Sequence, residues 1–471
     1  MTAMAGGLRA ALTSATMPKF TTIVAGGGAS GALLATRLVR KSPDAHVVVV
    51  DPREHLGRGM AYSTSHQEHQ LNVPAGRMSA FAEDPEHFVA FLRERFGDRY
   101  NAASFVPRPV YGDYLEAIVG KARAFAGDRF QYERSTILAA TVENSGVRAI
   151  CEDGRVLHGD VLVLATGNAS PAPWFRATAD IVSGERFFAS AWEDRALTPA
   201  DPDEGVLLLG TGLTAVDAVI GLRSNGHRGT TWMVSRRGLL PHEHRLFDSP
   251  PDANPDATSM HDLLDAFRAV ATRPRAWRAA LDSLRPRTNV LWQALSVNDQ
   301  RRFVRHVMPY WNVHRHRMAP EVAKTIADEI SSGGLRMLAG RTGTFAQTER
   351  GLRVPIRLRS EERTLELEVG RVINCSGPAH DFRQLENPLI GNLLAQGLMH
   401  PLETGIGVDV APSGALRNGD GVDSTAVFAI GPVRYGTLIE TTAMPEIRAQ
   451  AEELASLLVA RHQSTVAGGS Q

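Results

Sequence analysis

Apolar positions along this chain fall in blocks that recur in one order: a short continuous apolar run, a glycine cluster, then a longer segment with apolar residues at helical spacing. Residues 20–24 form such a run, followed by GGGASG at 26–31 and a helical pattern over 32–39. Val206–Leu209 forms another, followed by GTGLTA at 210–215 and a helical pattern over 214–222. Runs of this length without alternation read as strands buried on both faces, as in a parallel sheet covered by helices. Residues 46–50, 161–164, 230–234, 372–375 and 427–430 repeat the signal. Helical spacing also marks 266–270, 277–284 and 321–330, whereas 248–258, with three prolines and three aspartates, reads as a loop.

The glycine clusters give these blocks a chemistry. Gly26, Gly28 and Gly31, and Gly210 and Gly212, allow a tight strand-to-helix turn and close backbone approach to a pyrophosphate, with Ser30 and Thr214 opening the following helices. The expected fold class is α/β, with two Rossmann-like dinucleotide-binding domains. After the first cluster, the run 46–50 ends in Asp51, a carboxylate placed to bond ribose hydroxyls and unsuited to a 2′-phosphate. After the second, the run 230–234 ends in Ser235, Arg236 and Arg237, which suit a phosphate on the adenosine ribose. The reading is FAD first and NADPH second; a solvated turn is the alternative for the arginine pair, and NADH use would leave the rest unchanged.

Three further segments complete a pattern. Val161–Leu164 leads into Thr166 and Gly167, and the run 372–375 leads into Ser376 and Gly377; both are expected to cross between nucleotide domains. The run 427–430 leads into Gly431, then Thr441 within a helix expected over 439–458, whose N-terminus would face the flavin pyrimidine. These features resemble the glutathione-reductase-like flavoproteins with two dinucleotide domains. Pro432 departs from that pattern, which usually has an aspartate there.

Composition narrows the class. The chain has 471 residues, 43% of them hydrophobic, and zero formal net charge, so it offers no electrostatic footprint for nucleic acid. No uninterrupted apolar stretch of membrane-spanning length occurs, and residues 1–17 lack a signal-peptide core, so a cytoplasmic protein with a disordered N-terminal extension is expected. Only Cys151 and Cys375 are present, far apart, which excludes a dithiol relay and disulfide reductase chemistry. Electrons entering from NADPH must then reach dioxygen, a quinone, another protein or the substrate.

Val182, Gly184, Phe188 and Trp192 fall at the spacing of the FxGxxxHxxxW signature of class B flavin monooxygenases, with only Gly184 and Trp192 matching; an interface-packing Trp192 is the alternative. Gly59, Ala61, Tyr62, the string HQLNVPAGR at 69–77, residues 235–242 and YWNVHRHRMAP at 310–320 resemble a bacterial FAD/NAD(P)-binding family that includes an FAD-dependent urate hydroxylase and an L-aspartate N-monooxygenase. That resemblance implies NADPH-driven monooxygenation of a small polar or anionic substrate by dioxygen through a flavin hydroperoxide, with urate-like purines ahead of amino acid N-hydroxylation. A reductase serving a quinone or protein is the rival.

Asn72 and Arg77 are expected beside the flavin, Asn72 stabilising developing charge. The stretch 301–317 supplies Arg305, Tyr310, Trp311 and His314 as an anion-recognising surface, read alternatively as a solvated helix face or a homo-oligomer contact. No metal is expected: His306, His314 and His316 sit among arginines without carboxylate or thiolate company. The domain expectation is FAD-binding over 18–203 and 376–471, NADPH-binding over 204–375, and a helical insertion at 260–333 shaping the substrate pocket.

Overall fold

The computed structural model describes residues 20–144, 146–193, 195–245, 265 and 277–468, with side chains as far as 464. The expected N-terminal extension, the 248–258 loop and the 266–270 helix lie outside the described residues.

Two sheets organise the chain. The first runs in the order Ala415–Arg417, Asp423–Ala429, Val161–Leu164, Phe20–Ala25, Ala45–Val50 and Phe130–Glu133, parallel throughout except at its first pair. The second has a parallel core of Phe187–Phe188, Arg371–Asn374, Val206–Leu209, Thr231–Ser235 and Leu335–Thr342, extended by an antiparallel hairpin, Leu352–Leu358 with Thr364–Val369. Val24 and Val163, like Leu208 and Ile373, are fully buried, which is why these strands read as unbroken apolar runs. This is the α/β, two-Rossmann architecture that the pattern predicts.

Two expectations change. The strands Val161–Leu164 and Arg371–Asn374 do not cross between bodies; each is an interior strand of its own sheet, beside Phe20–Ala25 and Val206–Leu209 respectively. The chain changes body in the turns that follow them. The second sheet also recruits Phe187–Phe188, which pairs with Val372 and Ile373.

The helix Ala29–Lys41 packs under the C-terminal helix Met444–Gly468, with Arg37 and Lys41 both paired to Glu452 at 3.2 and 2.5 Å. That C-terminal helix starts at Met444, five residues later than its composition suggests, because Ile439 to Ala443 are drawn into a turn around Gly431. Between the second sheet's strands lie Trp277–Leu284, Thr288–Ala294, Val297–Arg302, a π-helical turn at Phe303–Val307, and Met308–Arg315. Ser296 caps the third of these by accepting from Asp299 N at 3.1 Å. Pro320–Ser331, by contrast, is the crossover helix into Leu335–Thr342, and its Ile326 is fully buried in the second sheet's core.

Candidate functional site

Each glycine cluster is shaped by contact that a side chain would forbid. Gly26 has φ +110°, and a Cβ there would lie 2.3 Å from the Ala165 carbonyl oxygen; one on Gly31 would lie 2.0 Å from Gly26 O. The second cluster repeats the geometry, with Gly210 at φ +127° and its Cβ 2.4 Å from Cys375 O. Thr166 abuts Gly26, and Gly167 and Gly377, at φ +74° and +84°, turn the chain away after the two flanking strands. Gly28 and Gly212 stand just before the helices Ala29–Lys41 and Leu213–Ser224, and nothing lies within 4 Å of a Cβ built on Gly212. The second helix therefore presents an unblocked N-terminus, while at the first Gly59 approaches Gly28 closely, with 3.3 Å between its Cα and a Cβ built on Gly28; a helix N-terminus at such a glycine turn is the arrangement a pyrophosphate needs.

At the end of Ala45–Val50, Asp51 is buried and accepts from Gly27 N at 2.7 Å and Arg53 N at 2.9 Å, which fixes its carboxylate beside the cradle. Ser235, at the matching place, is occupied structurally: its hydroxyl accepts from Thr211 Oγ1 at 3.0 Å and Gly238 N at 3.0 Å. Arg236 and Arg237 project into a cleft of about 760 Å³ that Arg305, His306, Arg341, Arg357 and Arg359 also line. Arg237 stacks over Tyr310 with 5.3 Å to the ring centroid. The residues present thus fit one dinucleotide at each cradle.

A separate cavity of about 300 Å³ lies between the two bodies, lined among others by Tyr62, Asn72, Arg77, Trp192, Thr214 and Thr442. Thr442 to Met444 open the C-terminal helix, so its positive end faces this space. Trp192 forms one wall, edge-on to His69 at 6.0 Å. Burial pushes the Tyr62 hydroxyl up to about 12, so it stays protonated at neutral pH. Burial, reinforced by Arg317, brings His244 down to about 4; burial with Arg315 and Arg285 brings His316 to about 3. Both are neutral at pH 7.

Asn72 and Arg77 do line this cavity, but Arg305, Tyr310, Trp311 and His314 do not. Arg305 lines the arginine cleft, and Tyr310 lies under the Arg237 guanidinium. Trp311 packs into the apolar cluster of Trp292, Phe303 and Met308. His314 bonds Tyr310 O at 2.8 Å and packs tilted against His242 at 4.5 Å and edge-on to Trp277 at 4.8 Å. The π turn at Phe303–Val307 and the end of the helix at Arg315 set this division. Past Arg315 the chain runs extended beside Glu243, with His244 N donating to Met318 O at 2.8 Å, and carries His316 and Arg317 into the cavity instead. His306, His314 and His316 are consequently dispersed, and among the described residues no group of three His, Cys, Asp or Glu side chains could hold a metal. Thr441 is also redirected: fully buried, it donates to Gly431 O at 2.8 Å and accepts from Gln450 Nε2 at 2.9 Å, bracing the turn whose Gly431 packs on Ser30.

Sequence reasoning missed the pair that joins the bodies. Arg108 donates both Nη atoms to Asp217 at 2.7 and 3.2 Å, and His69 Nε2 meets the Asp217 carbonyl at 2.9 Å. Asp282 was missed too; it pairs with Arg317 and lies 4.0 Å from Arg77. Neither partner announces itself locally, since the pairs span 109 and 35 residues.

Residues 23–169 match the model of a family described as FAD-NAD(P)-binding, which places the first glycine cluster and Asp51 in such a domain. No curated protein sequence matches the chain. No helix among the described residues is long and apolar enough to cross a membrane. Solved structures share the fold over nearly its whole length. The L-lysine 6-monooxygenase of Pseudomonas syringae matches with TM-score 0.66 at 16% identity, covering 94% of this chain and 99% of its own. The ornithine N-hydroxylase of Kutzneria sp. 744 gives 0.65 at 16% identity over 94% and 99%. The cadaverine monooxygenase of Erwinia amylovora, solved with FAD bound, gives 0.65 at 12% identity over 95% of each chain.

Proposed function

We propose that this protein is an FAD-dependent, NADPH-using monooxygenase that N-hydroxylates a small polar amine. The observation that carries the reading is one cavity between the two bodies, reached by Thr214 beside the second cradle and by the start of the C-terminal helix, with no thiol available to take electrons onward. Cys375 is buried, its thiol pushed up by desolvation, and Cys151 is buried at the end of the strand Gly146–Cys151. The amine-hydroxylating enzymes among the structural neighbours favour amine hydroxylation and put it ahead of the urate-like substrate that the sequence resemblance suggested.

Flavin and nicotinamide, when bound, supply the hydride transfer and the activation of dioxygen. In sum, amine, O2, NADPH and a proton give hydroxylamine, NADP+ and water. The chain's own residues perform the rest. The positive end of the C-terminal helix at Thr442 to Met444 stabilises negative charge in the cavity, while Arg285 neutralises Glu446 in that helix's first turn at 2.9 Å. Asn72 offers an amide donor, and Tyr62 a hydroxyl that keeps its proton. Trp192 and Met444 exclude water from the reacting atoms. Arg236 and Arg237, with Arg305 and Arg341, select the 2′-phosphate.

The test is anaerobic reduction of the purified yellow protein by NADPH and by NADH, then mixing with oxygenated buffer and an amine panel while flavin spectra and hydroxylamine product are followed. Fast reduction by NADPH with product matching oxygen consumed supports the reading. Rapid electron transfer to a quinone or dye with no oxygenated product from any amine would make the protein a reductase instead.

A further inference from the structure

The arginines of the central cavity do not balance. Arg77, Arg108, Arg285, Arg315 and Arg317 line it. Asp217 answers Arg108, Glu446 answers Arg285, and Glu440 answers Arg315 at 2.7 Å. Asp282 alone must serve both Arg317, at its Oδ1, and Arg77, 4.0 Å from its Oδ2. Each other pair is closed upon itself; here two guanidinium groups share one carboxylate, and one positive charge remains uncompensated. His244 and His316 add no carboxylate and no second charge.

Arg317 makes the excess directional. Its side chain is 3% exposed, yet Nη1 has no hydrogen-bond partner, whereas Nε donates to His314 O at 2.9 Å and Nη2 to Asp282. Trp277 lies against the guanidinium face at 5.7 Å, which leaves in-plane approach to Nη1 as the direction for a ligand. A buried donor without a partner costs free energy unless something binds it. Arg77 lies across Asp282 from it, more than half exposed, so it can turn toward an incoming anion.

Building on the monooxygenase reading, we propose that Arg317 and Arg77, held together by Asp282, form the docking point for a substrate carboxylate, and that the substrate is a small amino acid. A planar carboxylate can accept from Arg317 Nη1 and from Arg77 at once, which supplies both the missing charge and the missing acceptor. An amine without a carboxylate leaves both unanswered. The amino group is then the end presented to oxygenation.

The experiment uses the FAD-loaded protein with NADP+ present and follows direct binding by calorimetry. The probes are L-ornithine against putrescine, L-lysine against cadaverine, L-aspartate against its diamide, and urate. At least one carboxylate-bearing probe is expected to bind at least about tenfold more tightly than its partner and than urate. Arg77→Gln is expected to weaken that probe about tenfold, and Arg317→Lys, which preserves the charge facing Asp282 but lacks Nη1, to do the same. NADP+ affinity and the flavin spectrum should not change in either variant. Equal binding of the carboxylate-free partners, preference for urate, unaltered affinity in both variants, or no binding by any carboxylate probe overturns the proposal. Its failure is separable from that of the monooxygenase reading: hydroxylated putrescine or cadaverine would sustain the latter alone, while tight carboxylate binding without oxygenated product would sustain only the docking point.

Discussion

Arginine performs two different tasks in two cavities of this molecule. In the cleft beside the second glycine cluster, Arg236, Arg305, Arg341, Arg357 and Arg359 are exposed and, with Arg237, form no ion pair among the described residues. In the central cavity Arg108, Arg285, Arg315 and Arg317 are half-buried or buried, and each faces a carboxylate. Solvated, unpaired arginines make a potential that draws in a phosphate and releases it, at little cost to folding. Paired arginines in a drier space act as fixed struts, because exposing one partner alone leaves an uncompensated charge. The same residue type is thus left solvated and unpaired in one place and made rigid in the other.

The largest effect that would test this contrast is on stability. Arg108→Met should cost about 3–5 kcal/mol by stranding Asp217, read from urea unfolding. A loss below about 1 kcal/mol would show that the pair is no strut. In the open cleft, the double change Arg236→Ala with Arg237→Ala should leave unfolding within about 0.5 kcal/mol of the parent. It should lower kcat/KM for NADPH by about 100-fold, with NADH changed less than about threefold, the loss of one or two charge-assisted contacts. Equal losses with both nucleotides would remove the 2′-phosphate from this cleft.

Arg305→Gln sharpens the division within one helical stretch. It should raise the NADPH KM about three- to tenfold and leave the amine KM unchanged; the reverse pattern would return Arg305 to the substrate side. A last expected effect concerns pH. His244 and His380 sit at about 4 when folded because burial disfavours their charge, against about 6.5 unfolded. The unfolded chain therefore binds more protons between these values, and stability should fall as pH drops from about 6.5 to 4, with no contribution from these residues above that window. His244→Gln should flatten the slope, and an unchanged slope would mean that the imidazole is protonated in the fold.

Which features were legible follows from how local their causes are. Gly26, Gly31 and Gly210 are dictated by backbone contacts within one strand-turn-helix unit and its neighbouring strand, so their spacing announced them. Asp51 was readable because the strand before it fixes its position. The choice among residues 305–317 was not. The reading rested on Arg, His and aromatic residues crowded into one stretch, which does not say where each side chain goes; a π turn and a helix end divide them, and the cavity takes Arg315, His316 and Arg317. Arg108 and Asp217 are ordinary helical residues until tertiary packing brings two bodies together.

That cross-body tie bears on motion. Asp217 is held by a guanidinium through its side chain and by His69 through its carbonyl, both from the opposite body. Swinging the two bodies apart would rupture all of these bonds at once and wet a charge that folding has kept dry. These bonds therefore resist a hinge at this seam. Amide hydrogen exchange along Leu213–Ser224 should accordingly be as slow without nucleotide as with it.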